Sequence, residues 1–273
     1  MNSPSGPQPD RQMTPLALLS FSEGEGSPLV MLGGGTLGAG EFAPHARVLA
    51  ADFRVVRLQT LNIDRAQKKQ PLPAGYSLKT ESRAMAGALD QLGLTAPLDI
   101  AGHSFGGLVA LDFALDHPDR VHTLILAEPP AFWAVPPEEL RATTDMRMMV
   151  ELLHTFGPAI EPTDDQFARF LQAVGSSNVK PPARTGEALR GFSVIADHTD
   201  DVSRLKNFRR PVLLITGSST ISFHRRIDDI LATHLPLAER TQLPGDHAAP
   251  VSAQDGFISK VRAFLMQHCE AAE

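Results

Sequence analysis

Leu98-Asp99-Ile100-Ala101-Gly102-His103-Ser104-Phe105-Gly106-Gly107 runs from a short apolar strand through Gly-X-Ser-X-Gly into a helix. The helix is read in Leu108-Val109-Ala110-Leu111-Asp112-Phe113-Ala114-Leu115, a mix of apolar and small residues. Ser104 stands at the junction. Glycines two residues to either side leave room for a tight, strained turn where side chains would collide. Such a turn lifts the hydroxyl clear of the sheet and aims the positive end of the next helix at any oxygen that approaches. A nucleophile needs both features. The five-residue pattern recurs by chance, so the strand before it and the helix after it carry the reading.

Composition narrows the rest. At 273 residues the chain is long enough for a full core, read as one α/β domain with an insertion. Its net charge of −6, with 25 basic against 31 acidic residues, gives no cationic footprint for nucleic acid. Cys269 is the single cysteine, which excludes an internal disulfide and suits a reducing compartment. Met1 to Met13 holds three prolines and two serines without an apolar run, and is expected to be a frayed, disordered leader rather than a secretion signal. No stretch approaches eighteen consecutive apolar residues, so no membrane span or membrane partner is expected. The expectation is a soluble, cytoplasmic protein, for which a homodimer is among the allowed states.

Outward from the serine, strands and helices alternate. Leu16 to Leu19 and Leu29 to Leu32, split by the turn-forming Gly24-Glu25-Gly26, read as a hairpin feeding a buried strand. Gly33-Gly34-Gly35 ends that strand, and can turn amide N–H groups toward a bound anion or act as a plain flexible turn. Ala43 to Ala51 reads as a helix, Phe53 to Leu58 as a strand, Gln59 to Tyr76 as a polar loop and Ser77 to Leu92 as a helix. Val121 to Ala127 is a strand that ends at Glu128-Pro129-Pro130.

The alternation then stops. Helical stretches at Pro137 to Phe156, Thr163 to Val174 and Thr185 to Ala196 make residues 131–200 an inserted helical cap, with 14–130 and 201–273 as the core. Strand Pro211 to Thr216, helix Phe223 to His234, strand Glu239 to Leu243 and helix Ala253 to Gln267 complete the chain. The pattern implies an α/β fold, a mostly parallel sheet with helices on both faces.

This order resembles the α/β-hydrolase family, over about Leu16 to Gln267. The resemblance is carried by Gly102-His103-Ser104-Phe105-Gly106, the glycine turn after an early strand, a cap after the strand the family counts as sixth, and the late Pro244-Gly245-Asp246-His247 loop. It implies Ser104 as nucleophile and His247 as base, with Gly34 or Gly35 and the Phe105 N–H as the oxyanion hole. Chain order supports His247. Of ten histidines it alone lies on the loop after the final strand, while His268 comes too late, on a terminal helix.

The acid departs from the family pattern. Members usually carry an aspartate shortly after the seventh strand, yet Gly217-Ser218-Ser219-Thr220 has no carboxylate, and Asp228 and Asp229 lie on the next helix. Glu128 is the candidate, at the C-terminal edge where α/β sheets gather reactive groups. A carboxylate between Ala127 and two prolines, after so apolar a strand, is expected to be partly buried and to need a partner. In this respect the chain resembles the zearalenone lactone hydrolases, in which a glutamate after the sixth strand is the acid.

The implied chemistry is attack by Ser104 on an ester or lactone carbonyl, with an acyl-enzyme then hydrolysed by water. No clustered His/Cys/carboxylate set is evident, so neither metal nor organic cofactor is expected. The cap's Met146, Met148, Met149, Leu152, Leu153, Phe156, Phe167, Phe170, Leu171, Phe192 and Trp133 favour a small hydrophobic ester or lactone. Most of these are expected to pack the cap onto the sheet. Trp133, with Met149 and Leu153, is taken as pocket wall. Two other readings stand beside this one: a non-catalytic ligand-sensing protein on the same scaffold, and a C–C hydrolase or lyase of the same fold.

Overall fold

The apolar run that leads into Ser104 is the central strand of a seven-stranded sheet in the computed structural model, which describes residues 18–176 and 188–269. In chain order the elements are β1 (Ser20–Glu23), β2 (Pro28–Leu32), α1 (Ala43–Leu49), β3 (Arg54–Leu58), α2 (Leu61–Gln67), α3 (Leu78–Gln91), β4 (Leu98–His103) and α4 (Ser104–Asp116). There follow β5 (Val121–Ala127), α5 (Pro137–Ala142), α6 (Thr144–His154), α7 (Asp164–Ala173), α8 (Ser193–Asp197) and α9 (Ser203–Asn207). The chain closes with β6 (Val212–Gly217), α10 (Ser222–His234), β7 (Ala238–Leu243), α11 (Ala249–Ser252) and α12 (Gln254–Cys269).

The strands lie in the order β1-β3-β2-β4-β5-β6-β7, parallel except for β1. Because successive side chains point to opposite faces, a sheet covered on both sides demands continuous apolar strands. The core divides accordingly. Val30, Leu32, Ile100, Leu124, Leu126, Val212 and Leu214 meet α3, α4 and α10 on one face. Leu29, Met31, Ala101, Ile125, Ala127, Leu213 and Ile215 meet α1 and α12 on the other. The α/β class with helices on both faces is thus observed. Helices α5 to α9 all fall between β5 and β6.

Several expectations are corrected. The two early apolar runs do not form a hairpin: β1 begins only at Ser20 and pairs antiparallel with β3, Ser20 opposite Leu58, while β2 lies parallel between β3 and β4. Leu29 to Leu32 is buried on both faces and takes an interior position, which leaves the edge to the half-exposed β1. The loop read over Gln59 to Tyr76 contains helix α2, whose N-terminus is satisfied by a distant carboxylate: Leu61 and Asn62 donate their N–H groups to Glu81 at 2.7 and 2.8 Å. The strand counted as sixth by family analogy is β5 among the described residues. Met1 to Met13, and Thr185 to Glu187 of the last cap helix, lie outside the described residues.

Candidate active site

β4 ends at His103, and α4 begins at Ser104 with no residue between them. Ser104 therefore takes φ +50°, a left-handed conformation that costs a serine about 1–2 kcal/mol. The flanking glycines make the turn sterically feasible. A Cβ on Gly102 would come within 2.6 Å of the Gly107 Cα, and one on Gly106 within 2.4 Å of the Gly33 carbonyl oxygen. Neither clash can be relieved by rotating a side chain, so the β4 to α4 junction requires glycine at both places.

His247 comes from the loop between β7 and α11, and is buried. Its Nε2 lies 3.0 Å from Ser104 Oγ and its Nδ1 2.7 Å from Glu128 Oε2. A carboxylate can only accept, so Nδ1 carries the proton and Nε2 is left to accept from the serine hydroxyl. Glu128 follows β5 directly. It too has a left-handed backbone, φ +46°, which turns its buried side chain back toward the sheet's C-terminal edge.

The loop after β6 carries no carboxylate because it serves the one on β5. Gly217 donates its N–H to Glu128 Oε1 at 2.7 Å, and the Thr220 hydroxyl donates to Oε2 at 2.9 Å. Burial alone would raise the Glu128 pKa; the imidazoles of His224 and His247 and the Gly217 N–H outweigh it and hold the group at about 2. Glu128 is therefore ionised at neutral pH. Asp228 and Asp229 pair with Arg240 on β7 and neither is hydrogen-bonded to His247.

The glycine turn after β2 is more committed than its sequence shows. The Gly34 N–H donates to Glu41 Oε2 at 3.1 Å, which leaves Gly35 and Phe105 as the amides of the expected set still open to a ligand. Glu41 Oε1 in turn lies 2.7 Å from His103 Nδ1, and His103 Nε2 lies 2.9 Å from the His247 carbonyl oxygen. Neither Glu41 nor His103 was identified from the sequence, since a glutamate beside a glycine turn and the variable residue of Gly-X-Ser-X-Gly carry no signal by themselves. His224 on α10 was also missed. Its ring stacks on His247 with centroids 4.2 Å apart and planes 9° apart.

A cavity opens beside Ser104. Gly34, Gly35, Thr36, Glu41, His103 and His247 form its polar floor, and Phe170 and Leu171 of α7, Val174 just after it, Leu37, Phe192 and Val251 form its apolar walls. Phe192 reaches the floor because Gly35 has no side chain: a Cβ there would lie 2.0 Å from its Cζ. Trp133, Met149 and Leu153 do not line this cavity. Met149 and Leu153 lie on the buried face of α6, which packs on α8 and α10, and half-buried Trp133 meets the His198 ring edge-on at 6.1 Å. Nearness to Glu128 along the chain is undone by the 3-10 turn Phe132–Ala134, which carries Trp133 aside.

Two groups among the described residues bring three potential metal ligands within 4.8 Å, Glu128-His224-His247 and Asp112-His198-Asp200. In the first, the parallel rings direct their lone pairs side by side instead of toward one point, and Glu128 already accepts three hydrogen bonds. In the second, Lys79 Nζ lies 2.8 Å from Asp112 and supplies the countercharge. Neither geometry is that of a metal cradle. Among the described residues no helix is long and apolar enough to cross a membrane.

Comparison with known proteins places this geometry. The provisionally assigned carbamate hydrolase RutD of Stutzerimonas stutzeri is 28% identical over 264 residues, covering 89% of this chain and 93% of its own. Among solved structures, an esterase from Thermogutta terrifontis superposes with TM-score 0.65 at 18% identity, over 92% of this chain and 93% of its own. The enol-lactonase from Burkholderia xenovorans does so with TM-score 0.64 at 20% identity, over 91% and 96%. At such identities the structural likeness speaks for the fold. The family model described as the alpha/beta hydrolase fold matches residues 27–247, and with it the chain belongs to the α/β-hydrolase family and is a hydrolase.

Proposed function

We propose that the protein is a serine hydrolase that cleaves a small hydrophobic ester or lactone through an acyl-enzyme. The observation that carries the proposal is the continuous hydrogen-bond chain from Ser104 Oγ to His247, 3.0 Å, and from His247 to the ionised Glu128, 2.7 Å. Glu128 is ionised, as its role requires. His247 Nε2 removes the hydroxyl proton as Ser104 attacks the carbonyl carbon, and Glu128 holds the imidazole's tautomer and stabilises the imidazolium. The developing oxyanion meets the N–H groups of Gly35 and Phe105, a contribution of about 3–4 kcal/mol per donor in comparable sites. His247 returns the proton to the leaving alkoxide, then activates water to hydrolyse the ester on Ser104.

The substrate class follows from the walls. Phe170, Leu171, Val174 and Phe192 offer apolar surface, which favours an apolar acyl group. Residues 131–200 act as the cap that supplies α7 and Phe192. A second reading, a carbamate as substrate, is favoured by the name of the relative from Stutzerimonas stutzeri. The same nucleophile and base would serve it.

The test is turnover of p-nitrophenyl acetate and butyrate, a medium-ring lactone and an alkyl carbamate by the parent and by Ser104→Ala. Loss of about 10³-fold or more in kcat with Ser104→Ala is expected, as for removal of a triad member elsewhere. Equal turnover by the two proteins overturns the proposal. Preference for the carbamate over every ester and lactone moves it to the second reading.

A further inference from the structure

Glu41 and His103 lie one shell behind the reacting atoms, both buried, and make contacts that restrict how protons can be shared between them. Glu41 follows the 3-10 turn Gly38–Gly40 on the connection from β2 to α1. Its Oε2 accepts the Gly34 N–H at 3.1 Å, and its Oε1 faces His103 Nδ1 at 2.7 Å. On the far side of the same ring, Nε2 lies 2.9 Å from the His247 main-chain carbonyl oxygen. That carbonyl has no proton to give, so Nε2 is the donor there. Nδ1 then either accepts from a protonated Glu41 or donates to an ionised one; the Gly34 N–H favours the charged carboxylate, and with it a ring that donates from both nitrogens, which is a cation.

We propose that Glu41 and His103 are positioning residues, an ionised carboxylate–imidazolium pair that ties the oxyanion turn, the residue preceding the nucleophile and the main chain of the base into one unit. The inference rests on the reading of Ser104 as nucleophile and His247 as base. The three positions concerned are far apart in sequence: residue 34 on the turn after β2, residue 103 at the end of β4 and residue 247 on the loop after β7. Holding the Gly34 N–H fixes the Gly33–Gly34 peptide, and the carbonyl of the next peptide, Gly34 O, accepts the Gly38 N–H at 2.9 Å, so the Gly35 N–H projects from a turn held on both sides. Holding the His247 carbonyl fixes the backbone from which the base projects.

The surroundings support the ionised form. The titratable groups that face His103 are Glu41, the Glu128 carboxylate, His247 at 4.9 Å between ring centroids, and beyond them His224 and His45. Burial opposes charge on both partners. The attraction of Glu41 and its hydrogen bond outweigh that for His103 and raise its pKa, while His103 and the Gly34 N–H hold Glu41 below the usual carboxylate range. A buried ion pair of this kind adds little net stability, and its value lies in fixing geometry.

The direct test is nitrogen NMR of the intact protein carrying 15N-labelled histidine, with the His103 signals identified by their loss in His103→Gln. Both nitrogens of His103 are expected to remain in the protonated range above the ordinary histidine midpoint of about 6.5. A non-protonated Nδ1, or a titration of one nitrogen at about pH 6–7 as in a free histidine, overturns the pair. The second measurement is Glu41→Gln, which keeps the side chain's size but removes its charge. Its kcat on p-nitrophenyl butyrate is expected to fall about 10- to 100-fold with KM changed less than about 3-fold, short of the 10²–10³ lost when an oxyanion donor itself is removed.

Affinity for butylboronic acid, which forms a tetrahedral adduct on the serine, is expected to fall in parallel with kcat. A merely structural role would leave the ratio of boronate affinity to KM unchanged, and that result also overturns the proposal. Should Glu41→Gln fail to fold, the NMR measurement on the unsubstituted chain decides alone. Should Ser104→Ala retain full turnover, the nucleophile reading fails, while the histidine signals still report on the pair.

Discussion

His224 lies parallel to His247 with neither ring nitrogen meeting a hydrogen-bond partner, although the side chain is 2% exposed. Burial first, then the nearby His247, drives its pKa well below the ordinary value, so the ring is neutral at pH 7 and carries charge toward Glu128 only in acid. In the proposed mechanism a neutral aromatic face against His247 stabilises the imidazolium formed there, by about 0.5–2 kcal/mol on the scale of cation–π contacts. His224→Phe keeps such a face and is expected to retain kcat within about 3-fold, whereas His224→Leu loses about 3- to 30-fold. Steady-state rates of the two variants check this, and a leucine variant as active as the phenylalanine one removes the role. Glu128 permits a sharper comparison. Glu128→Gln leaves the Gly217 and Thr220 contacts possible but releases the tautomer, and is expected to lower kcat by about 10³–10⁴, the range for amide substitution of a triad acid. Asp228→Asn disturbs the pairing with Arg240 and leaves the His247–Glu128 contact in place, and is expected to change kcat less than about 3-fold. The opposite outcome in the same rate assay would make Asp228 the acid. At this scale Ser104 and His247 were legible because their neighbours in the chain restrict them. His224, Glu41 and His103 were not, because their partners are distant in sequence.

Helix α2 marks the boundary of what a sequence exposes about its elements. Thr60 precedes it without a side-chain cap, and the last turn of the segment carries no glycine stop, so neither end announces a helix. The cap is tertiary. Glu81, buried on α3, accepts Leu61 N–H at 2.7 Å and Asn62 N–H at 2.8 Å, and also the Tyr76 hydroxyl. Helices α3 and α7, by contrast, carry their caps beside them, Ser77 with Thr80 and Thr163 with Gln166, and both were readable. The strands divide in the same way. Continuous apolar runs located β2, β4, β5 and β6, but the partner of β1 depends on which strand is buried deeply enough to need two neighbours. The wall of the cavity was misplaced for a related reason. Methionine and leucine on α6 read as adaptable lining, yet they face the core, while α7 and Phe192 turn toward Ser104. Glu81→Ala removes an acceptor from three buried donors at once. It is expected to cost about 3 kcal/mol of unfolding free energy, measured by urea titration, and to speed amide hydrogen exchange within α2. A loss below about 1 kcal/mol, near the median for point substitutions, denies the cap its importance.

Across the whole molecule the buried titratable groups set how stability responds to pH, and they pull in two directions. Glu128 and Glu41 have folded-state pKa values below their ordinary one of 4.5, Glu128 at about 2. The folded state therefore binds fewer protons than the unfolded chain, and the stability these groups contribute above about 4.5 is lost as pH falls toward 2. For Glu128, with 2.5 units between 4.5 and about 2, that loss is on the order of 3 kcal/mol. His224 and His45, lowered by burial from 6.5, act in the same sense from about 6.5 downward. Glu81 opposes them. Burial pushes it up to about 7 despite its donors, so the folded state binds the extra proton and stability from this group falls as pH rises from 4.5 to 7. His103, raised by Glu41, also favours the folded state while protonated and is lost as pH rises through its folded value. Between about pH 4.5 and 6.5 Glu81 offsets one of the two lowered histidines, His103 acts only above 6.5, and below 4.5 only the destabilising set remains active. Urea midpoints are therefore expected to fall gently from about pH 6.5 to 5 and to drop steeply by about pH 3. Glu81→Gln removes the opposing contribution, and its midpoint is expected to decline more steeply than the parent's from about pH 6.5, where the unfolded histidines begin to charge. A parent curve that stays level to about pH 3 contradicts the burial of an ionised Glu128, and a Glu81→Gln curve parallel to the parent contradicts the raised Glu81.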